Sequence, residues 1–164
     1  MNKSDTPIAI EEENILVKVS PKNDLEIIDT LATLLYKNGY VKQSYSKAVQ
    51  EREKVFPTGL QTTTIGFAIP HADSSHVLRT TVAVATLKKP VKFRAMDNPE
   101  VQYSVKIVMM LAIKDPDAVV TVLQKVVSLL KDEPILKKIK YARTAGTIKR
   151  ALDHHIEHFV DELL

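Results

Sequence analysis

Hydrophobic and polar positions change their spacing along this chain, and the changes predict where strands and helices lie. Alternation across residues 15–19 predicts a first strand, because successive side chains of a strand point to opposite faces. Asn23 is followed three residues later by Glu26, which resembles a capping box and predicts the start of a helix. Apolar residues three and four apart give this helix one buried face, and Gly39 is expected to end it.

The same two patterns predict the later elements. Ser44 is expected to cap a second helix that runs to about Val55. Apolar runs at 82–87 and 105–113 predict two buried strands, with a turn at 88–90 after the first and the second at the centre of the sheet. Further helical segments are expected to begin at Asp115, Asp132 and Thr144.

This order of elements predicts an α/β fold. Only some of the strands are separated by helices, so the sheet should be mixed and covered by helices on both faces. A length of 164 residues is enough for a sizeable core, and residues 1–164 are expected to form one domain. Residues 1–13 are polar and acidic, so we expect them either to fray or to form an edge.

The end of one predicted strand carries a candidate for chemistry. Residues 65–69 alternate large and small apolar side chains, and Pro70 then ends the strand because it cannot donate to a sheet ladder. His71 therefore follows a strand end, where ligands commonly bind in α/β proteins. The alternative is a histidine that bonds only to the loop backbone.

Arg52 is a second candidate because it falls on the apolar stripe of the second helix. It shares that face with Val49 and Val55, whereas Glu51 and Glu53 are expected to point elsewhere. A planar guanidinium with a packed stem can bind phosphate, since its fork meets two oxygens at once. It can also serve as half of an ordinary ion pair, and the sequence leaves both possibilities open.

Composition narrows the function classes. The net charge of +3 does not suggest a nucleic-acid binder, although a basic cluster at residues 79–94 would favour an acidic protein partner. The chain has no cysteine, which excludes disulfides and thiolate catalysis. The start lacks the apolar stretch of a signal peptide, and the longest apolar run, 107–113, is too short to cross a bilayer. We therefore expect a cytoplasmic protein without membrane insertion.

The other histidines support weaker hypotheses. His76 can act beside His71, form a metal site with His71 and Asp73, or stand as an exposed turn residue. His154, His155 and His158 form a tail cluster in which His154 and His158 are one helical turn apart, but a solvated tail explains the cluster better than a metal site. We expect neither a metal nor a cofactor.

Two motifs resemble those of a known family. Gly66-Phe67-Ala68-Ile69-Pro70-His71 is similar to the active-site motif of enzyme IIA of the bacterial sugar phosphotransferase system, fructose–mannitol superfamily. Arg52-Glu53, followed by Phe56-Pro57-Thr58-Gly59, resembles the upstream motif of the same family. The F-P-T-G form, with His76 five places after the motif histidine, resembles the galactitol-type branch.

The resemblance implies a three-layer α/β/α sandwich with a mixed central sheet. It implies a phosphotransferase in which His71 accepts a phosphoryl group, through Nε2, from the histidine-containing phosphocarrier protein. His71 then passes the group to a cysteine of enzyme IIB, and the sugar, expected to be galactitol or a relative, crosses the membrane through enzyme IIC. Arg52 would contact the phosphoryl group, and His76 would be auxiliary.

One departure limits the resemblance. Fructose and mannitol members carry a second histidine soon after the central strand, whereas residues 115–120 here contain none. His76 is a possible partial substitute. Two other functions stay open: a regulatory enzyme IIA-like domain that signals by its phosphorylation state, and a binding module with an inert histidine.

Overall fold

The computed structural model describes residues 8–162, with the side chains of 157–162 excepted. The described strands are β1 (Ile15–Val19), β2 (Gly59–Gln61), β3 (Gly66–Ala68), β4 (Thr81–Arg94) and β5 (Gln102–Ala112). The described α-helices are α1 (Asp24–Lys37), α2 (Tyr45–Val55), α3 (Val119–Val127), α4 (Glu133–Tyr141) and α5 (Ala145–Glu162). Within the described residues, no helix is both long enough and apolar enough to span a membrane.

The strands form one mixed sheet in the order β1-β4-β5-β3-β2. The β1–β4 and β3–β5 pairs are parallel, and the β4–β5 and β2–β3 pairs are antiparallel. Apolar side chains of α1 and α2 build the core on one face, and those of α3, α4 and α5 build the core on the other. The predicted α/β sandwich with a mixed sheet and a central β5 is confirmed.

Local chemistry fixes most of the helix starts as predicted. The Asn23 side chain accepts from the backbone N–H of Glu26 at 2.9 Å, and Asp132 caps α4 by accepting from Ile135 N–H at 3.3 Å. Gly39 adopts a positive φ of 82°, the conformation expected at its position after α1. Ser44 is the exception, because its hydroxyl makes no capping bond to α2.

One prediction about the strands is wrong. The expected turn at 88–90 lies within β4, which continues past Pro90 because a bulge between Thr86 and Val91 takes these residues out of the ladder. Of the two alternatives for residues 1–13, residues 8–13 fit an edge, because Ala9 bridges to Thr81 of β4, the Thr81 hydroxyl donates to Ala9 O at 2.8 Å, and Ile10 is buried at 2% exposure. Residues 1–7 lie outside the described part.

Candidate functional site

The end of β3 is fixed against the centre of the sheet. At Gly66 a Cβ atom would lie 1.9 Å from Ser104 O, so only glycine lets β3 approach β5 this closely. Beyond the strand, the N–H of Leu111 donates to Pro70 O at 3.0 Å and His71 bridges to Leu111. The predicted position of His71, just past a strand end, is confirmed.

The His71 ring is held in one tautomer. Its Nδ1 lies 2.8 Å from the carbonyl oxygen of Ile69, which can only accept, so Nδ1 carries the proton. The lone pair is therefore on Nε2. Burial lowers the pKa of His71, the bond to Ile69 works in the opposite direction, and the nearby charge of Arg52 lowers the pKa further. The result is a neutral imidazole with a nucleophilic Nε2 at neutral pH.

Arg52 lies near His71, but it is exposed and not packed on the apolar face of α2 as the helical stripe predicts. Its charge acts on both His71 and Asp73, and its guanidinium carbon lies 5.3 Å from the centroid of the Phe56 ring. Arg52 is exposed, as is Val55 at 66%, whereas Glu53 is buried. Tyr45 and Val49 are buried as predicted, but the packed position predicted for Arg52 is wrong, because a pair of hydrogen bonds turns Glu53 inward instead.

Sequence reasoning missed Glu53, the residue that ties α2 to the His71 loop. Its carboxylate accepts from the N–H and the hydroxyl of Thr58, both at 2.9 Å, and only 4% of the residue is exposed. Burial raises the pKa of Glu53 even though both Thr58 bonds oppose the change. Thr58 O in turn accepts from Ile69 N–H at 3.4 Å. The spacing of Glu53 from Thr58 was the available signal, but its meaning depends on the loop conformation.

The turn after His71 brings in His76 and Asp73. His76 Nδ1 lies 2.8 Å from the Ser44 hydroxyl at the start of α2, and Asp73 accepts from Ser75 N–H at 2.9 Å. Bonds from Ser75 lower the pKa of Asp73, and the nearby charges of His76 and Arg52 lower it further. Among the described residues, no three histidine or carboxylate side chains are grouped to hold a metal ion.

The tail histidines lie in a different region, and the solvated position expected for them is wrong for His155. His155 is buried at 6% exposure, with Nε2 2.6 Å from the Ser128 hydroxyl and Nδ1 3.0 Å from Asp132 Oδ2. The Ser128 hydroxyl also lies 2.5 Å from Lys125 O, to which it donates. Both ring nitrogens of His155 are therefore occupied by bonds that join α5 to α4 and the preceding turn. The side chain of His158 lies outside the described part.

Comparison with known proteins agrees with this geometry. Residues 9–155 match the family described as phosphoenolpyruvate-dependent sugar phosphotransferase system, EIIA 2. The chain is 29% identical over 85% of its length to the transcriptional regulator ManR of Bacillus subtilis, of which it covers 20%. It is 33% identical over 68% of its length to the 2-O-alpha-mannosyl-D-glycerate-specific EIIABC component of Escherichia coli, of which it covers 16%.

A solved structure shows the same fold. The chain resembles enzyme IIA in the E. coli complex of mannitol enzyme IIA with phosphorylated enzyme IIB, with a TM-score of 0.75 at 22% identity. The match covers 90% of this chain and 99% of that one. By contrast, the chain spans about a fifth of the curated relatives it matches. It belongs to the EIIA 2 family of the sugar phosphotransferase system, whose domains are phosphotransferase components that carry phosphohistidine.

Proposed function

We propose that His71 is the phosphorylated residue of this EIIA domain and that the phosphoryl group is carried on Nε2. The observation that carries the proposal is the 2.8 Å contact between His71 Nδ1 and Ile69 O. This contact occupies Nδ1 with a proton and leaves only Nε2 with a lone pair. A neutral ring, favoured by the lowered pKa, is the state that can attack phosphorus.

The transfer consists of two displacements. The Nε2 lone pair attacks the phosphorus of the phosphohistidine on the histidine-containing phosphocarrier protein, and the donor N–P bond breaks with its electrons returning to the donor ring. A cysteine thiolate of enzyme IIB then attacks the same phosphorus, and the electrons of the Nε2–P bond return to His71. Throughout, Ile69 O continues to accept from Nδ1–H and stabilises the ring while it carries positive charge.

The positive charge of Arg52 is proposed to stabilise the negatively charged phosphoryl group during transfer. Phosphoryl transfer depends mainly on positioning and on neutralising the equatorial oxygens. The guanidinium is exposed, is placed over Phe56 and is close enough to affect the pKa of His71, so it can meet a phosphoryl group on Nε2. His76, bonded to Ser44, is proposed as an auxiliary residue that orders the turn.

Intact-mass measurement tests the site directly. Incubation with phosphoenolpyruvate, enzyme I and the phosphocarrier should add one acid-labile phosphate to the protein. Fragmentation should place it on His71, and two-dimensional NMR of the ring should place it on Nε2. His76→Gln should still be charged, whereas unchanged charging of His71→Ala would overturn the assignment.

The relatives bear on which sugar is carried and on the wider role. The galactitol assignment is not supported, since the sugar-specific relatives described above are named for mannosyl-glycerate and mannitol. We therefore propose sugar uptake through a cognate enzyme IIB and IIC at the cytoplasmic face, without naming the sugar. Incubating the charged protein with each enzyme IIB of the same genome should give phosphocysteine on one of them.

The similarity to ManR favours a regulatory domain as the second candidate. In that case the phosphorylation state of His71 would be read by a protein partner instead of being passed to enzyme IIB. Normal charging of His71 combined with no transfer to any enzyme IIB would support this candidate over transport.

A further inference from the structure

A cavity of about 470 Å³ opens beside strands β1, β4 and β5 and the end of helix α4. Its lining consists of Lys18, Leu87, Lys88, Lys106, Lys140 and Tyr141, and we call it the lysine cavity. Leu111, beside His71, and Lys106 are both on β5 and five residues apart, which corresponds to about 17 Å along the strand. The lysine cavity is therefore separate from the proposed transfer site.

Two bulges on neighbouring strands shape this cavity. The β1–β4 register shifts between Leu16 and Val19, and within this bulge Lys18 has a φ of 52°, the one positive φ of a non-glycine residue in the described chain. The Lys18 N–H donates to the hydroxyl of buried Thr86 at 2.9 Å, which holds the bulge in place. Bulges of this kind redirect side chains and are concentrated beside functional sites.

The second bulge lies in β4 and presents Lys88 opposite Lys106. The β4–β5 register shifts between Thr86 and Val91, and Lys106 Nζ donates to Lys88 O at 2.9 Å. Lys106 is half-buried, so its stem is packed while its ammonium group faces the bulge. The redirected backbone thus brings side chains of β1, β4 and β5 to one opening.

The charges in this opening are not compensated by the protein. In residues 8–156, none of the four lysines of the cavity forms an ion pair, and no acidic side chain lines it. Lys140 lies in the last turn of α4, where the helix dipole favours a positive charge. The dipole does not explain the other three lysines, which lie on β1, β4 and β5, since like charges placed together repel unless an anion joins them.

We infer that the lysine cavity binds a small molecule carrying two phosphate groups. Lysine ammonium groups are compact phosphate binders, and the cavity volume falls within the range of small-molecule sites. Tyr141 is 68% exposed, with Lys140 Nζ 5.3 Å from its ring centroid, and offers an aromatic face to a sugar or base ring. A nucleoside diphosphate and a sugar bisphosphate share this chemistry.

Amide NMR of the full chain tests the inference and separates the two sources. ADP, fructose 1,6-bisphosphate and inorganic pyrophosphate are titrated separately at physiological salt. We expect saturable shifts at Lys18, Lys88 and Lys106, but not at His71, with a Kd below about 1 mM for ADP or the bisphosphate. Tighter binding of ADP than of pyrophosphate would identify a nucleoside diphosphate as the ligand class, and tighter binding of fructose 1,6-bisphosphate would identify a sugar bisphosphate. Absence of saturable binding by all three overturns the inference.

Paired variants separate a built site from diffuse positive charge. Lys106→Gln should weaken binding at least about tenfold, whereas Lys92→Gln, on β4 outside the cavity, should weaken it less than twofold. Both variants should keep the wild-type melting temperature and normal charging of His71. Equal weakening by the two variants, or tighter binding of a polyglutamate peptide than of the phosphates, overturns the inference.

Discussion

Two histidines of this protein, His71 and His155, differ in how their rings are bonded, and the difference is the basis for proposing that His71 is reactive and His155 is structural. Each has one ring nitrogen bonded to an oxygen of the protein, but His155 has the second nitrogen bonded as well, between Ser128 and Asp132. The side-chain set Ser128–His155–Asp132 looks more like a catalytic group than the backbone contact of His71 does. The comparison teaches that an open nitrogen at a strand end is a better guide to chemistry than a familiar set of residue types.

The largest expected effect comes from removing each ring in turn. His71→Ala should abolish charging by the phosphocarrier, because no other histidine is expected to have Nε2 open beside a phosphate-binding residue. His155→Ala should keep charging but lower the free energy of unfolding by about 1–3 kcal/mol, since Asp132 and Ser128 lose a buried partner. Charging rates and chemical denaturation measure the two effects. A His155→Ala protein that folds but cannot be charged would contradict the purely structural role proposed for His155.

Exchanging Arg52 for lysine should slow transfer on the order of a hundredfold. A lysine keeps the charge but cannot meet two phosphoryl oxygens with one planar group, so the loss is expected in the rate and not in the melting temperature. Arg79→Lys is a matched control, because Arg79 is also an exposed arginine over an aromatic ring, 4.1 Å from the Tyr40 centroid. Equal transfer rates for the two variants would make Arg52 an ordinary surface residue.

Glu53→Ala should loosen the loop at Thr58, whose carbonyl bonds to the N–H of Ile69, the residue that holds the His71 ring. It leaves Thr58 N–H without its buried acceptor, which costs about 1–3 kcal/mol of stability and should also slow transfer several-fold. Glu51→Ala is the control, since Glu51 makes only an exposed ion pair with Lys47 at 3.9 Å. If Glu53→Ala lost no more stability than Glu51→Ala, the proposed link through Thr58 would be wrong.

Glu53 also has a pH signature. Its folded pKa is raised above the ordinary value of 4.5, so the folded protein binds the proton more tightly than the unfolded chain does. Glu53 therefore adds to the free energy of unfolding when the pH is below 4.5, and this contribution is lost as the pH rises through the raised folded pKa. Glu53→Gln should flatten this part of the stability profile, as measured by denaturation at a series of pH values.

The smallest effect is expected in the pH dependence of charging. Because the pKa of His71 is lowered, the rate should reach its plateau at a lower pH than a free imidazole of pKa about 6.5 would give. The lowered pKa of His71 also affects the free energy of unfolding. As the pH falls from 6.5 toward the folded pKa, the unfolded chain binds the proton first, so the folded protein loses stability. NMR titration of the His71 ring measures the shift, and a midpoint above 6.5 would contradict it.

Much of the fold was predictable because its signals are local. Asn23 and Asp132 cap helices through side chains that reach only three residues ahead, and Pro70 ends β3 by its own covalent geometry. The position of His71 follows from that proline. These features need no knowledge of the rest of the chain.

The errors all involve partners distant in sequence or a loop conformation. Helical spacing placed Arg52 inside and Glu53 outside, but the turn at Thr58 supplies two donors that draw Glu53 inward. Pro90 signalled a turn, yet a bulge in β4 accommodates it opposite β5. At the start of the chain the sequence left a frayed segment and an edge open, because the acidic residues do not reveal that Ile10 packs in the core beside the bridge from Ala9 to Thr81.

The backbone of Leu111 contacts both halves of the proposed transfer site. Its N–H binds Pro70 O at 3.0 Å, and its carbonyl accepts from the Tyr45 hydroxyl at 2.7 Å, which fixes the first turn of the helix that carries Arg52. Backbone atoms make these bonds, so position 111 can change between apolar residues without altering them. An alignment would therefore give no sign of its role, whereas the hydrogen-exchange rate of the Leu111 amide would report directly whether the site is assembled.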